Sequence, residues 1–201
     1  MHAAILLFDD FETLDVFGPV EILGRIKDHF QVGFYSEKGT LITNHHGITI
    51  ATKKLDSLRD GTDIFLIPGG PGTRKEIENT QLLEMVQKIS AASDYVLTVC
   101  TGSALLAKTG LLNGLKATSN KKVFEWASSF GSNVRWLREA RWTVDGKYYT
   151  SSGVSAGMDM TLGFISDLHG KAFARRVAVQ MEYHWQEDKE VDDFYQLRNT
   201  D

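Results

Sequence analysis

A chain of 201 residues, 42% of them hydrophobic, is long enough for one α/β core that buries roughly 70% of the unfolded surface, and residues 1–201 read as a single domain. A formal net charge of −4 with no block of lysines or arginines excludes phosphate-backbone binding as the main activity, and no apolar stretch reaches the ~18 residues of a membrane helix. The start "MHAAILLFDD" shows no basic leader or cleavage site, and the one cysteine supplies neither an internal disulfide nor a second thiol for a metal, so a reducing cytoplasm is the expected setting.

Residues 3–8, "AAILLF", form a continuous apolar run that predicts a strand buried on both faces of a parallel sheet. The acidic "DDFETLD" closes it, and "FGPVEILGRI" predicts a helix with Pro19 at its first position, where a missing N–H costs little. "FQVGFYSEKG" is a second strand, and "GTLITNHHGITIATKKL" a hairpin with its loop at Asn44 to Gly47. "TDIFLIPGG" is a third buried strand, leading through a glycine-rich turn to the helical "QLLEMVQKISAAS". "YVLTVC" is the fourth, followed by the helix "TGSALLAKTGLL" and the helical pattern "NKKVFEWASSFG". "ARWTVDGKYYTSSG" is a second hairpin turning at Asp145-Gly146. Two helices, "SAGMDMTLGFISDLHG" and "KAFARRVAVQMEYHW", precede a polar tail that frays or crosses to a neighbour. Strands alternating with helical patterns predict an α/β fold, a doubly wound, mostly parallel sheet with helices on both faces and peripheral β-hairpins.

Ligands in such sheets sit outside the carboxyl ends of the strands, where "FDDFETLD", "IPGGPGT" and "VCTGS" are expected to meet. Cys100 falls at a strand-to-helix junction, where a sharp turn presents a side chain to the cleft and the following helix dipole lowers the thiol pKa. Free cysteine is equally a common buried, inert residue, and from the residues alone both readings stand. Asp15, flanked by Leu14, Val16 and Phe17, is a carboxyl that burial would keep protonated as a general acid, or a plain helix-terminal charge or cap. "PGGPG", residues 68–72, offers uncovered peptide N–H groups for a developing negative charge, or is an ordinary turn; it matches neither a dinucleotide nor a phosphate-loop fingerprint. None of the six histidines is close to Cys100 in sequence. His45 and His46 read as solvated hairpin-tip residues, and no metal site is expected.

Taken together and in order, "LDVFGP", "IPGGPG", "VCTGSALLAKTGLLNGLKAT" and "TSSGVSAGMD" resemble the ThiJ/PfpI family of the class I glutamine amidotransferase-like superfamily, from residue 3 to about residue 185. The similarity is strongest around Cys100 and points to the isocyanide hydratase branch and to the amino-terminal domains of some AraC-type regulators. It implies a flavodoxin-like fold with Cys100 as nucleophile, Asp15 as the carboxyl touching it, and Gly70 and Thr101 giving backbone N–H groups beside the thiolate. Thr101 is also implied as a hydroxyl neighbour that, like Asp15, orients a water. Gly69, Gly153, Val154 and Asn120 are implied around the pocket.

Two departures stand out. Protease-like members carry a histidine directly after the cysteine where this chain has Thr101, which counts against peptidase activity. Hydratase-like members commonly read T-T-H-W where "TSNK" here sets Asn120 in the histidine's place, which alters pocket polarity. The resemblance implies a homodimer acting on a small molecule without a cofactor, nucleic acid or membrane. The leading expectation is hydration of an isocyanide or a related small electrophile through a covalent thioimidate. The alternatives are a glyoxalase- or amidase-like enzyme, a cysteine redox or stress sensor, and a small-molecule-binding module.

Overall fold

The computed structural model describes residues 1–26 and 28–197. In chain order its elements are β1 (His2–Leu6), α1 (Thr13–Arg25), β2 (Gln31–Ser36), β3 (Leu41–Thr43), β4 (Thr49–Ala51), β5 (Lys53–Lys54), β6 (Ile64–Ile67), α2 (Thr73–Glu76), α3 (Thr80–Ala92), β7 (Tyr95–Thr98) and α4 (Gly102–Lys108). There follow β8 (Lys116–Ala117), α5 (Phe124–Ser128), β9 (Arg135–Trp136), β10 (Trp142–Asp145), β11 (Tyr148–Ser151), α6 (Ala156–His169) and α7 (Lys171–Gln180).

The central sheet has seven strands in the order β10-β11-β7-β6-β1-β2-β5, and every pairing within it is parallel except β10 with β11. The apolar runs explain its centre. Ile64 to Ile67 and Ala3 to Leu6 are completely buried, as strands covered on both faces must be, and each such Leu or Ile side chain contributes about 1.5–3 kcal/mol on leaving water. Helices α1, α6 and α7 pack together on one face and α3 and α4 on the other. From β1 the chain builds outward through β2 on one side and through β6, β7 and β11 on the other. That reversal of strand order opens a crevice at the carboxyl ends of β1, β6 and β7, where the three suggestive segments converge.

Four details differ from the sequence reading. Pro19 lies inside α1, not at its start, because the helix begins at Thr13; burial of Val16, Ile22 and Leu23 outweighs the one backbone hydrogen bond that proline removes. The second hairpin is not peripheral, since its strand β11 pairs with β7 in the central sheet. The pattern at residues 120–131 yields only the five-residue α5. The last helix stops at Gln180, and Glu182 takes a positive φ of 51°. The released segment then bonds to Asp159 through the Tyr183 hydroxyl, the Trp185 indole and the Gln186 amide. No helix among the described residues is long and apolar enough to cross a membrane.

Candidate active site

The chain leaves β7 at Thr98 and turns at Cys100, whose φ of 57° lies in the left-handed region. For a residue with a Cβ this conformation costs about 1–3 kcal/mol and persists only where the surroundings hold it. Here they do: the Cys100 N–H donates to Ser152 O at 3.0 Å, and the Cys100 carbonyl accepts from the hydroxyls of Ser103 at 3.0 Å and Ser119 at 2.9 Å. The turn directs the thiol toward a cavity of about 310 Å³ lined by Glu12, Pro71, Arg74, Thr101, Asn120 and Val154, among others.

The Asn120 side-chain amide donates to Sγ at 3.2 Å, and the backbone amides of Thr101 and Val154 favour the thiolate in the same direction. The orientation of Asn120 is set by its other end, whose oxygen accepts from the backbone N–H of Lys122 at 2.9 Å and of Val123 at 3.4 Å. That pairing leaves the NH₂ group for the thiol. Gly153 packs so closely on this NH₂ that an added Cβ would lie 2.8 Å from it. Val154, which also lines the cavity, has a positive φ of 26°, so the backbone bends sharply beside the thiol.

Asp15 sits in the first turn of α1 and is completely buried. It does not cap its own helix. Its Oδ2 accepts instead from the Gly69 N–H at 2.9 Å, while Oδ1 has no hydrogen-bond partner; the nearby Cys100 thiol favours the ionised carboxyl only weakly. Gly69 is demanded by this contact, because a Cβ there would stand 2.5 Å from Thr101 N and 2.9 Å from Asp15 Oδ2. Burial holds the Asp15 carboxyl well above the usual range, and the charge of Glu12 pushes the same way.

Two expectations change. The Cys100 thiol is pushed up, not down: burial is the largest cause and the charge of an ionised Asp15 the next, and the amides of Asn120, Thr101 and Val154 only partly oppose them. With its carboxyl protonated, Asp15 ceases to repel a thiolate, so the pair is best described as sharing protons between two buried acids. The Gly70 N–H, expected beside the thiolate, is already committed to Thr101 Oγ1 at 3.1 Å. Thr101 Oγ1 also accepts from the Thr73 hydroxyl at 3.1 Å. The Thr101 hydroxyl therefore braces the "PGGPG" turn, and the donors that remain for developing charge are the amides of Thr101, Val154 and Asn120.

Three further neighbours have no individual role readable from their local motifs. Arg74 lines the cavity with its guanidinium carbon 3.6 Å from the centre of the Trp126 ring. His46, read as a loop residue, is exposed as expected but contacts Thr13 Oγ1 at 2.5 Å and Glu12 Oε1 at 3.8 Å, because Asn44 and His45 tie the hairpin tip to Thr13 and Phe11. Behind the site, Arg141 pairs with Asp159 and Asp192 and donates to Ser155 Oγ at 3.3 Å, next to Val154. Among the described residues no group of three or more His, Cys, Asp or Glu side chains is arranged to hold a metal ion.

Residues 1–167 match the model of the DJ-1/PfpI family. An isonitrile hydratase of Pseudomonas putida is 30% identical over 183 residues, 91% of this chain and 78% of that protein. A deglycase of Pyrococcus abyssi is 27% identical over 156 residues, 75% of this chain and 89% of that protein. A solved ThiJ/PfpI family protein from Pseudomonas syringae superposes with a TM-score of 0.81 at 25% identity, over 90% of this chain and 74% of that one. Drosophila melanogaster DJ-1beta does so with a TM-score of 0.78 at 19% identity, over 92% and 98%, and shares the fold. Since the matched residues run from β1 into α6 and carry Asp15, the "PGGPG" turn, the Cys100 elbow and Val154, the chain belongs to the DJ-1/PfpI family.

Proposed function

We propose that this protein is a thiol-dependent enzyme that hydrates a small electrophilic carbon, with an isocyanide as the substrate class the site suits best. The observation that carries the reading is the pairing of a strained, cavity-facing Cys100 with a completely buried Asp15 whose carboxyl burial pushes up, with no histidine among the described residues that line the cavity. In an isocyanide the terminal carbon must receive both a nucleophile and a proton. The Cys100 sulfur forms the bond to that carbon, Asp15 delivers a proton to the same carbon, and the thiol proton passes to the Asp15 carboxylate, giving a thioimidate. Asp15, reprotonated by the thiol, gives that proton to the thioimidate nitrogen and takes one from the water that adds to the carbon. The carbon–sulfur bond then breaks, the hydroxyl proton of the adduct passes to the sulfur, and an N-substituted formamide leaves with the thiol restored and Asp15 again protonated. Covalent catalysis divides one hard addition into two easier ones, and the amides of Thr101, Val154 and Asn120 stabilise sulfur-centred charge as it develops.

Support from outside the site comes from the likeness to an isonitrile hydratase at 30% identity; the likeness to a deglycase at 27% keeps carbonyl substrates as the second class to be tried. A redox-sensor role fits less well, because oxidation selects exposed thiolates and Cys100 is 5% exposed with its thiol pushed up. The reading takes a small molecule as substrate and a homodimer in a reducing cytoplasm as the working form. The test is a panel of an aryl isocyanide, methylglyoxal and simple amides, run on the wild type and on Cys100→Ala. Formamide production by the wild type that vanishes in the variant is expected, and full activity of Cys100→Ala on the isocyanide sinks the reading.

A further inference from the structure

We propose that Arg74 forms an anion-binding subsite at the mouth of the thiol cavity, so that the molecule presented to Cys100 carries a carboxylate or a similar planar anionic group away from its reactive carbon. Arg74 lines the same cavity as Cys100, Thr101, Asn120 and Val154. Its guanidinium is held in one orientation, stacked at 3.6 Å on the Trp126 ring with Nη1 donating to Thr73 Oγ1 at 3.2 Å. An arginine that neutralised a carboxylate of its own protein would explain such ordering, but Arg74 makes no ion pair with a carboxylate among the described residues. The acid that lines the cavity, Glu12, pairs with His46 at 3.8 Å.

A stacked guanidinium has its planar fork pre-organised, so it gains more from a bidentate anion than a mobile side chain does. Arg74 and Cys100 line one cavity of about 310 Å³, which places the anionic group and the reacting carbon within one small molecule's length. Pro71, Val123 and Val154 give the same cavity apolar wall, matching a compact organic acid better than an inorganic ion. The inference uses the proposed catalytic reading only in naming what happens at the other end of the ligand.

Calorimetric titration of the full chain with benzoate and, separately, with benzamide tests it without requiring turnover. The wild type is expected to bind benzoate about tenfold more tightly than benzamide, the scale of one charge-assisted hydrogen-bonding contact. Arg74→Gln is expected to bring the two ligands to near equality, with Arg74→Lys keeping part of the preference. Failure of the wild type to bind benzoate, equal binding of the two ligands, or a preference unchanged in Arg74→Gln would falsify the subsite. A protein that prefers benzoate yet hydrates no isocyanide retains the subsite and loses the catalytic reading, and turnover without the preference does the reverse.

Discussion

Asp15 and Asp159 are both completely buried carboxyls at the start of a helix, each in its first turn, yet they are treated in opposite ways. Asp159 is surrounded by donors: Arg141 Nε at 2.7 Å and Nη2 at 2.6 Å on Oδ2, and the Tyr183 hydroxyl and Gln186 N–H, both at 3.0 Å, on Oδ1. Asp15 has one backbone N–H on one oxygen and no hydrogen bond on the other. Burial pushes both carboxyls up, but at Asp159 the Arg141 guanidinium is the first influence against it, whereas at Asp15 only a peptide amide and a thiol oppose it and Glu12 adds to it. A buried carboxyl met by a cation fastens segments together; one left short of donors holds a proton that chemistry can use.

Removing the fastener should produce the largest change. Asp159→Ala leaves Arg141 buried beside Asp192 alone and frees the segment from Tyr183 to Gln186, so a loss of about 3–5 kcal/mol is expected in a urea titration. Asp15→Asn should invert that outcome: turnover falls by about a hundredfold or more, as for loss of a general acid, while stability at neutral pH is kept or improved. The sign follows from proton linkage. The native state retains a proton that the unfolded chain gives up above its ordinary carboxyl pKa of about 3.9, so the stabilisation is full below that pH and is lost as pH rises toward the native value. The stability difference between Asp15→Asn and wild type should therefore grow in the variant's favour from about pH 4 upward, and thermal melts across pH that run parallel would break the comparison. Asn120→Ala should have the smallest effect, about 1 kcal/mol. It removes one of the donors that lower the Cys100 pKa, so the thiolate absorbance must titrate at a higher pH than in wild type.

Much of this contrast could not be seen in the sequence. The buried strands, both hairpin turns and the junction at Cys100 were legible because each rests on local rules: apolar runs, turn residues, and a strand passing into a small-residue helix. Asp15 was legible as a candidate because an acid flanked by Leu14, Val16 and Phe17 is out of place on an exposed helix face. Its partner was not, since Gly69 is 54 residues away and only the order of β1 and β6 brings them together. The same holds for His46 against Glu12, 34 residues apart in number but joined by the fold of one hairpin tip. The raised thiol pKa is not legible, because a helix dipole can be inferred from sequence whereas burial cannot. Pro19 marks no helix start because the burial of Val16, Ile22 and Leu23 holds α1 across it.

The left-handed turn at Cys100 also limits how this position can change over evolutionary time. A φ of 57° with both backbone polar groups already bonded is forgiving to glycine and asparagine, tolerable for serine, and hostile to β-branched side chains. A lineage that abandons the thiol can therefore drift to an inert binding pocket or an oxygen nucleophile on a primary alcohol, while the step to threonine is closed by the backbone before any chemistry is selected.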